Sequence, residues 1–395
     1  MDSLVKFARA KMAEIATKNL VRTLKPTARG PAAGDGLTIR RNGRTLTSFS
    51  CNDYLGLSRH PKVIAAAVEA TKRYGAGAGA SRYVTGDNPL YDAIETRLAR
   101  IKGTETAIVF GSGYLANLGI IPALIGESDL IVGDELSHAC MHAGARLSRA
   151  VIKLFRHNDV EHCAAILAAE RAKHVHCLVM TEGVFSMDGD RAPVKHLAET
   201  ARKHDAWLLT DDAHALGVIG GGRGSAHADN AVGAVPLQMG TLSKAVGAYG
   251  GYVCTDGDTA EFIRHRARSL IYSTGLPPGT LAAIDAALDL IEHDSALVER
   301  PLMLACRFTD SLGLPPAESA IVPVILGDPA RALAAAQALE DAGCLVVAMR
   351  PPTVPQGTSR LRITFSAGHT DDDVARLIQA MKTLNLAPRA LAEAP

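Results

Sequence analysis

Lys244 stands in "MGTLSKAVGAYGG", residues 239–251, among Thr, Ser, Ala and Gly, just after an apolar run and before a glycine turn. A solvated lysine needs no such clearance, whereas an ε-amine bonded to a bulky group does. Asp211, Asp212 and His214 end another apolar run, "LLTDDAHALG". A buried carboxylate is costly unless it is paired or hydrogen-bonded. Asp211 is therefore either a satisfied core acid beside a helix cap or the partner of a cation. A third run, "AIVFGSGYLANLGIIPAL", passes through Gly111, Ser112, Gly113 and Tyr114 into a helical pattern. Backbone N–H groups at such a helix start suit a phosphate, while packing and capping would serve equally for Tyr114 and Asn117.

Other chemistries fit less well. "GAGAGAS" (75–81) has the letters of a dinucleotide fingerprint, but a helical pattern, "PKVIAAAVEATKRY", precedes it where a strand is required. It remains a flexible loop that lets backbone approach a ligand. Asp211 and His214 supply two metal ligands at most, and His138, His142, His174 and His176 do not have zinc-site spacing. No G-x-S-x-G closes a strand, which removes the serine-hydrolase elbow. A lysine, a buried acid, a histidine and a phosphate cradle in strand order are what pyridoxal 5′-phosphate (PLP) needs: an amine for its aldehyde, an acid for its ring nitrogen and an anion pocket.

The elements that must position these groups are legible as alternation. "TAIVF", "DLIVGD", "HCLVMTEG", "AWLLTDDAH", "VPLQMGTLSK" and "GGYVC" are strand-like runs separated by helical patterns. That is an α/β chain with a mostly parallel sheet whose functional groups gather at the strands' carboxyl ends. We expect an N-terminal helical segment over 1–45, a large domain over 46–280 and a smaller α+β domain over 281–395. "GTLAAIDAALDLIEHDSALVER" (279–300) reads as one long helix. The 42 basic and 41 acidic residues nearly cancel, without like-charge blocks, so no nucleic-acid partner is expected. Apolar runs are too short to span a bilayer, and "MDSLVKFARAKMAEIATKNL" lacks the apolar stretch of a signal peptide. Seven scattered cysteines without C-x-x-C point to a reduced, cytoplasmic protein.

Colinear blocks extend this reading over nearly the whole chain: "NDYLGLSRHP" (52–61), "VTG" (84–86), "GSGYLAN" (111–117), "LSHACMHAG" (136–144), "TEGVFSMDGDRAP" (181–193), "DDAHALG" (211–217), "TLSKAVGAYGGY" (241–252), "IYSTGLPP" (271–278) and "RPPTVPQGTSRLRITFSAGH" (350–369). They resemble the α-oxoamine synthase family of fold-type I PLP enzymes. The resemblance implies a seven-stranded, mostly parallel sheet in the large domain, and decarboxylative condensation of an amino acid with an acyl thioester. "FRHND", "TEGVFSMDGD", "DDAHALGVIG", "IYSTGLPP" and "RPPTVP" most resemble the branch that joins L-alanine to a pimeloyl thioester, carried on CoA or acyl carrier protein, in biotin synthesis. Cys140 stands where serine is more usual, and Arg82 also matches the sister activities that use glycine or serine. A non-catalytic scaffold is disfavoured because Lys244 is present.

By position in these motifs, the resemblance implies that Lys244 bonds PLP and then serves as the base, and that Asp211 pairs with the ring nitrogen. His214 would bond the phenolic oxygen and His138 would stack on the ring. Gly113, Tyr114, Ser186 and Thr241 would complete the cofactor site, with Thr274 reaching the neighbouring subunit's phosphate in a homodimer; a Ser-Thr helix cap is the plainer reading of that segment. Arg362, then Arg350, would take the amino-acid carboxylate, because a guanidinium fork fits it with two parallel bonds. Asn52 and Glu182 would orient substrate, and Arg22 and Thr353 would contact the acyl donor. Taken singly, each arginine is also a plausible solvated charge.

Overall fold

A computed structural model describes residues 2–17, 21, 23–30 and 37–386. The strands in chain order are β1 (Thr38–Arg41), β2 (Arg44–Ser48), β3 (Thr106–Phe110), β4 (Leu130–Asp134), β5 (Val151–Phe155), β6 (Cys177–Glu182), β7 (Trp207–Asp211), β8 (Leu237–Thr241), β9 (Gly251–Thr255), β10 (Ile321–Gly327), β11 (Cys344–Leu345), β12 (Val347–Met349) and β13 (Ser359–Thr364). Seven of them form one sheet in the order β3-β9-β8-β7-β6-β4-β5, with β9 antiparallel to both neighbours and the other pairings parallel. All strands of this sheet except β9 therefore end on the same edge. Chain leaves that edge at Gly111, Glu135, Arg156, Gly183, Asp212 and Leu242, and enters β9 there from Gly250.

Strand alternation assigns the two faces. Ile108, Ile131, Leu178, Leu209, Met239 and Val253 pack in one core cluster, while their neighbours Ala107, Val132, Val179, Leu208 and Tyr252 pack in others. Helices cover both faces, so β4, β6, β8 and β9 are buried at every position and β7 at every position but Trp207, and they read as largely apolar runs. Edge strand β5, "VIKLF", exposes Val151, Lys153 and Leu154.

The C-terminal part builds its own core from Phe49, Leu304, Phe308, Val324, Leu361, Phe365 and Leu377 around the antiparallel sheet β10-β13-β12. A second small sheet pairs β1 with β2 and β2 with β11, Thr47 facing Cys344. The divide expected at residue 46 thus falls inside β2, a strand bonded to the C-terminal part. The divide expected at 280/281 falls inside helix Pro278–His293, whose Leu281, Ile284, Leu288 and Ile291 belong to the large core. The long helix expected over 279–300 is two helices. Asp294 leaves helical geometry (φ −119°, ψ 83°) and its carboxylate caps helix Ser295–Leu312 through the Leu297 N–H at 3.0 Å. Helix Asp2–Thr17 is exposed along its length. No described helix is long and apolar enough to cross a membrane.

Candidate active site

The sheet edge and β13 together hold a continuous chain of polar side chains. Lys244 Nζ lies 2.8 Å from His214 Nε2, and His214 Nδ1 lies 2.6 Å from Tyr54 Oη. Arg362, on β13, donates through Nη2 to Tyr54 Oη at 3.4 Å, through Nη1 to Asn52 Oδ1 at 3.1 Å and through Nε to the Ser186 carbonyl. Guanidinium only donates, so Tyr54 accepts from Arg362. Its one proton has two acceptors in reach, His214 Nδ1 at 2.6 Å and Asn52 Oδ1 at 3.2 Å. We assign it to the shorter contact, so that His214 carries hydrogen on Nε2 and offers it to Lys244. Burial, reinforced by the Lys244 and Arg362 charges, holds His214 well below the usual imidazole range, in keeping with a neutral ring. Burial likewise lowers the Lys244 ammonium, opposed by Asp211 and Glu182. This amine gives up its proton more readily than a solvated lysine does.

Two carboxylates lie side by side on the adjacent strands β6 and β7, where Glu182 faces Asp211 in register. Both are buried, and burial raises both pKa values, with the Asp211 charge pushing Glu182 further up. The asymmetry of their partners decides which one ionises. Asp211 accepts from Asn117 Nδ2 at 2.9 Å and from the Ala213 N–H at 2.9 Å, whereas Glu182 has only a backbone bond from His138, and its Oε1 has no partner among the described residues. Glu182 is the neutral member and Asp211 the charged one. Asn117 Nδ2 also reaches Cys140 Sγ at 3.2 Å, and Cys140 Sγ lies 2.8 Å from His138 Nδ1. Burial pushes the Cys140 thiol up to about 12, so it stays protonated and donates to His138 Nδ1.

Near the start of helix Gly113–Leu124, Thr241 Oγ1 bonds the Gly250 carbonyl at 2.8 Å and lies 2.7 Å from Ser243 Oγ. A Cβ on Gly113 would sit 3.1 Å from Thr241 Cβ, so glycine lets the backbone of this helix start approach the hydroxyls. Tyr114 is exposed beside it. Thr274 is exposed and bridges in antiparallel fashion to Ser81 of the glycine-rich loop, apart from the Lys244 chain. Arg350 follows β12, its carbonyl accepting from the exposed Thr353 at 3.0 Å. Arg22 lies outside the described residues. The residue reading missed Tyr54 and undervalued Asn117 and Cys140. Tyr54 sits within "NDYLGL", but its partner His214 lies 160 positions further on.

The pattern of the aminotransferase class I and II family matches residues 44–381, and the chain belongs to that family. The 8-amino-7-oxononanoate synthase of Methylocella silvestris is 59% identical over 346 residues, 88% of this chain and 99% of that protein. The enzyme of the same name from Beijerinckia indica is 54% identical over 384 residues, 97% of this chain and 98% of that protein. A serine palmitoyltransferase from S. paucimobilis, solved with a bound PLP–myriocin adduct, is 30% identical with a TM-score of 0.88, covering 97% of this chain and 99% of that one. The resemblance to α-oxoamine synthases is borne out.

Proposed function

We propose that this chain is a PLP-dependent acyltransferase of the cytoplasm, acting in biotin synthesis. It condenses L-alanine with a pimeloyl thioester of CoA or acyl carrier protein, yielding 8-amino-7-oxononanoate, CO2 and free thiol. The carrying observation is a buried Asp211 carboxylate, bonded by Asn117 and the Ala213 N–H, on the same sheet edge as a Lys244 amine whose pKa burial lowers, in a chain 54% identical to a synthase of that name. The residues present fit the cofactor. Asp211 is a desolvated carboxylate whose charge a protonated ring nitrogen would stabilise. The amides of Gly113 and Tyr114 with the Thr241 and Ser243 hydroxyls form a place for phosphate, and Lys244 is the amine for the aldehyde. Bound there, PLP supplies an electron sink for the negative charge that develops at the amino-acid Cα.

The protein's own groups then divide the work. Arg362 holds the alanine carboxylate, oriented by its bonds to Asn52 and the Ser186 carbonyl. Lys244, whose ammonium burial destabilises, removes the Cα proton, and His214 keeps its hydrogen on Nε2 for an oxygen acceptor. His138, fixed by Cys140, covers the ring face. Glu182, neutral, adds no charge to compete with Asp211. Arg350 follows Arg362 at the amino-acid carboxylate, Thr353 and Arg22 contact the acyl donor, and Thr274 completes the site of a second copy.

The test is the product. Mass spectrometry of a reaction containing alanine and pimeloyl-CoA should give 8-amino-7-oxononanoate with PLP-loaded enzyme and none with Lys244→Ala. Product formed instead from serine and palmitoyl-CoA, and none from alanine, would transfer the chain to the activity of its structural neighbours.

A further inference from the structure

His157, in "FRHND", takes no part in the chemistry above, yet both of its ring nitrogens are held by carboxylates. Nε2 lies 2.8 Å from Asp190 Oδ2, Nδ1 lies 3.2 Å from Asp134 Oδ1, and the ring meets Phe185 edge-on at 4.3 Å between centroids. A ring with acceptors at both nitrogens is a double donor, hence an imidazolium. Partial burial pulls its pKa down, but the hydrogen bonds and charges of Asp134 and Asp190 outweigh this and raise it to about 10. The other charged groups around it are Glu135, which accepts the His157 N–H at 3.1 Å, the Arg191–Asp229 pair, and Arg156 and Asp159 of its own loop.

The two carboxylates belong to different parts of the molecule. Asp134 is the buried end of β4, fixed by the N–H groups of Leu136 at 2.9 Å and Asn158 at 2.8 Å. Asp190 belongs to the turn after β6, closed by Phe185 N–H to the Asp190 carbonyl at 3.0 Å and Gly189 N–H to the Phe185 carbonyl at 2.9 Å. The same turn also meets β13. Its Ser186 carbonyl accepts Arg362 Nε, its Met187 carbonyl accepts Arg360 Nη1 at 3.3 Å, and its Asp188 pairs with Arg360. One short turn is thus tied to the sheet through His157 and carries the carbonyl that anchors Arg362.

We propose that His157 is a positioning residue for amino-acid binding: its cation clamps the 185–190 turn to β4 and so sets the Ser186 carbonyl that aims the Arg362 guanidinium. This rests on the reading that Arg362 takes the alanine carboxylate. His157 remains charged at neutral pH and loses its proton only as pH rises through about 10.

The test uses PLP-loaded enzyme, with His157→Gln and Asp190→Asn cutting the clamp from either side and Arg362→Lys as the control. Both clamp variants should raise KM for alanine about tenfold with kcat within about threefold, because the loss is in ground-state binding. The resting cofactor absorbance should not change. The ratio of His157→Gln to wild-type KM should fall toward one above about pH 10, where the wild type loses the same cation. Taking the ratio cancels titration of alanine itself. If Arg362→Lys raises KM while folded clamp variants do not, or if the ratio stays constant with pH, the positioning role is overturned and the carboxylate reading stands. If Arg362→Lys leaves KM unchanged, the carboxylate reading falls and the proposal with it.

Discussion

Asp211 and Glu182 share an environment but not a set of partners. Two buried carboxylates on paired strands cannot both carry charge cheaply. The Asn117 amide and the Ala213 N–H settle the charge on Asp211. An Asp211→Asn side chain keeps the shape and loses the charge that holds a ring nitrogen protonated. The variant should fold and bind PLP, while exchange of the alanine Cα proton for deuterium, followed by NMR without acyl donor, slows by about a hundredfold or more. Exchange at the wild-type rate would assign the ring nitrogen to another acid. At this scale the residue types were legible in the sequence, since a small-flanked lysine and an acid ending an apolar run are local signals. Tyr54 was not, because nothing within "NDYLGL" announces a histidine 160 positions away.

The turn after β7 shows how an element holds two site residues still. Asp212, between Asp211 and His214, accepts from Lys102 Nζ at 2.5 Å and from the Ser225 N–H at 3.1 Å, and Lys102 also donates to the Arg223 carbonyl at 2.6 Å. Both side chains are fully buried. Removing one partner strands the other charge in the core, at about 3–5 kcal/mol. Lys102→Met should therefore lower unfolding stability in urea by about that amount. Adding Asp212→Asn should recover part of the loss, since the stranded charge is the larger penalty. A loss under 1 kcal/mol would mean that water or a second cation reaches Asp212. Among the elements, the largely apolar strands β4, β6, β7, β8 and β9 were readable as runs. Edge strand β5 was not, because an exposed strand carries Lys153 and no unbroken apolar stretch.

The molecule as a whole gathers its site from positions 52 to 362 by laying strand ends along one edge and folding β13 against it. Thr274 is exposed on a segment bridged to the glycine-rich loop, and exposed Tyr272 and Leu147 line a cavity beside it. This arrangement suits a second copy. Lys244→Ala and Thr274→Ala chains should each be nearly inactive alone. If Thr274 of one copy serves the site of the other, mixed dimers should regain activity, because one of their two sites would hold Lys244 from one chain and Thr274 from the other. Subunit exchange shown by tagged chains without returning activity would sink the shared site.

The sequence by itself determined the α/β class, the family and the types of the reactive groups. Each of these is written in short windows: period-two and continuous apolar runs, strand-end glycines, and a lysine among small residues. Tertiary structure alone decided the direction of the Arg362–Tyr54–His214–Lys244 chain, the unequal charges of Asp211 and Glu182, and the membership of β2 in the C-terminal part. These depend on hydrogen-bond partners, desolvation and strand pairing between segments as many as 310 residues apart, and no local pattern encodes which distant group arrives.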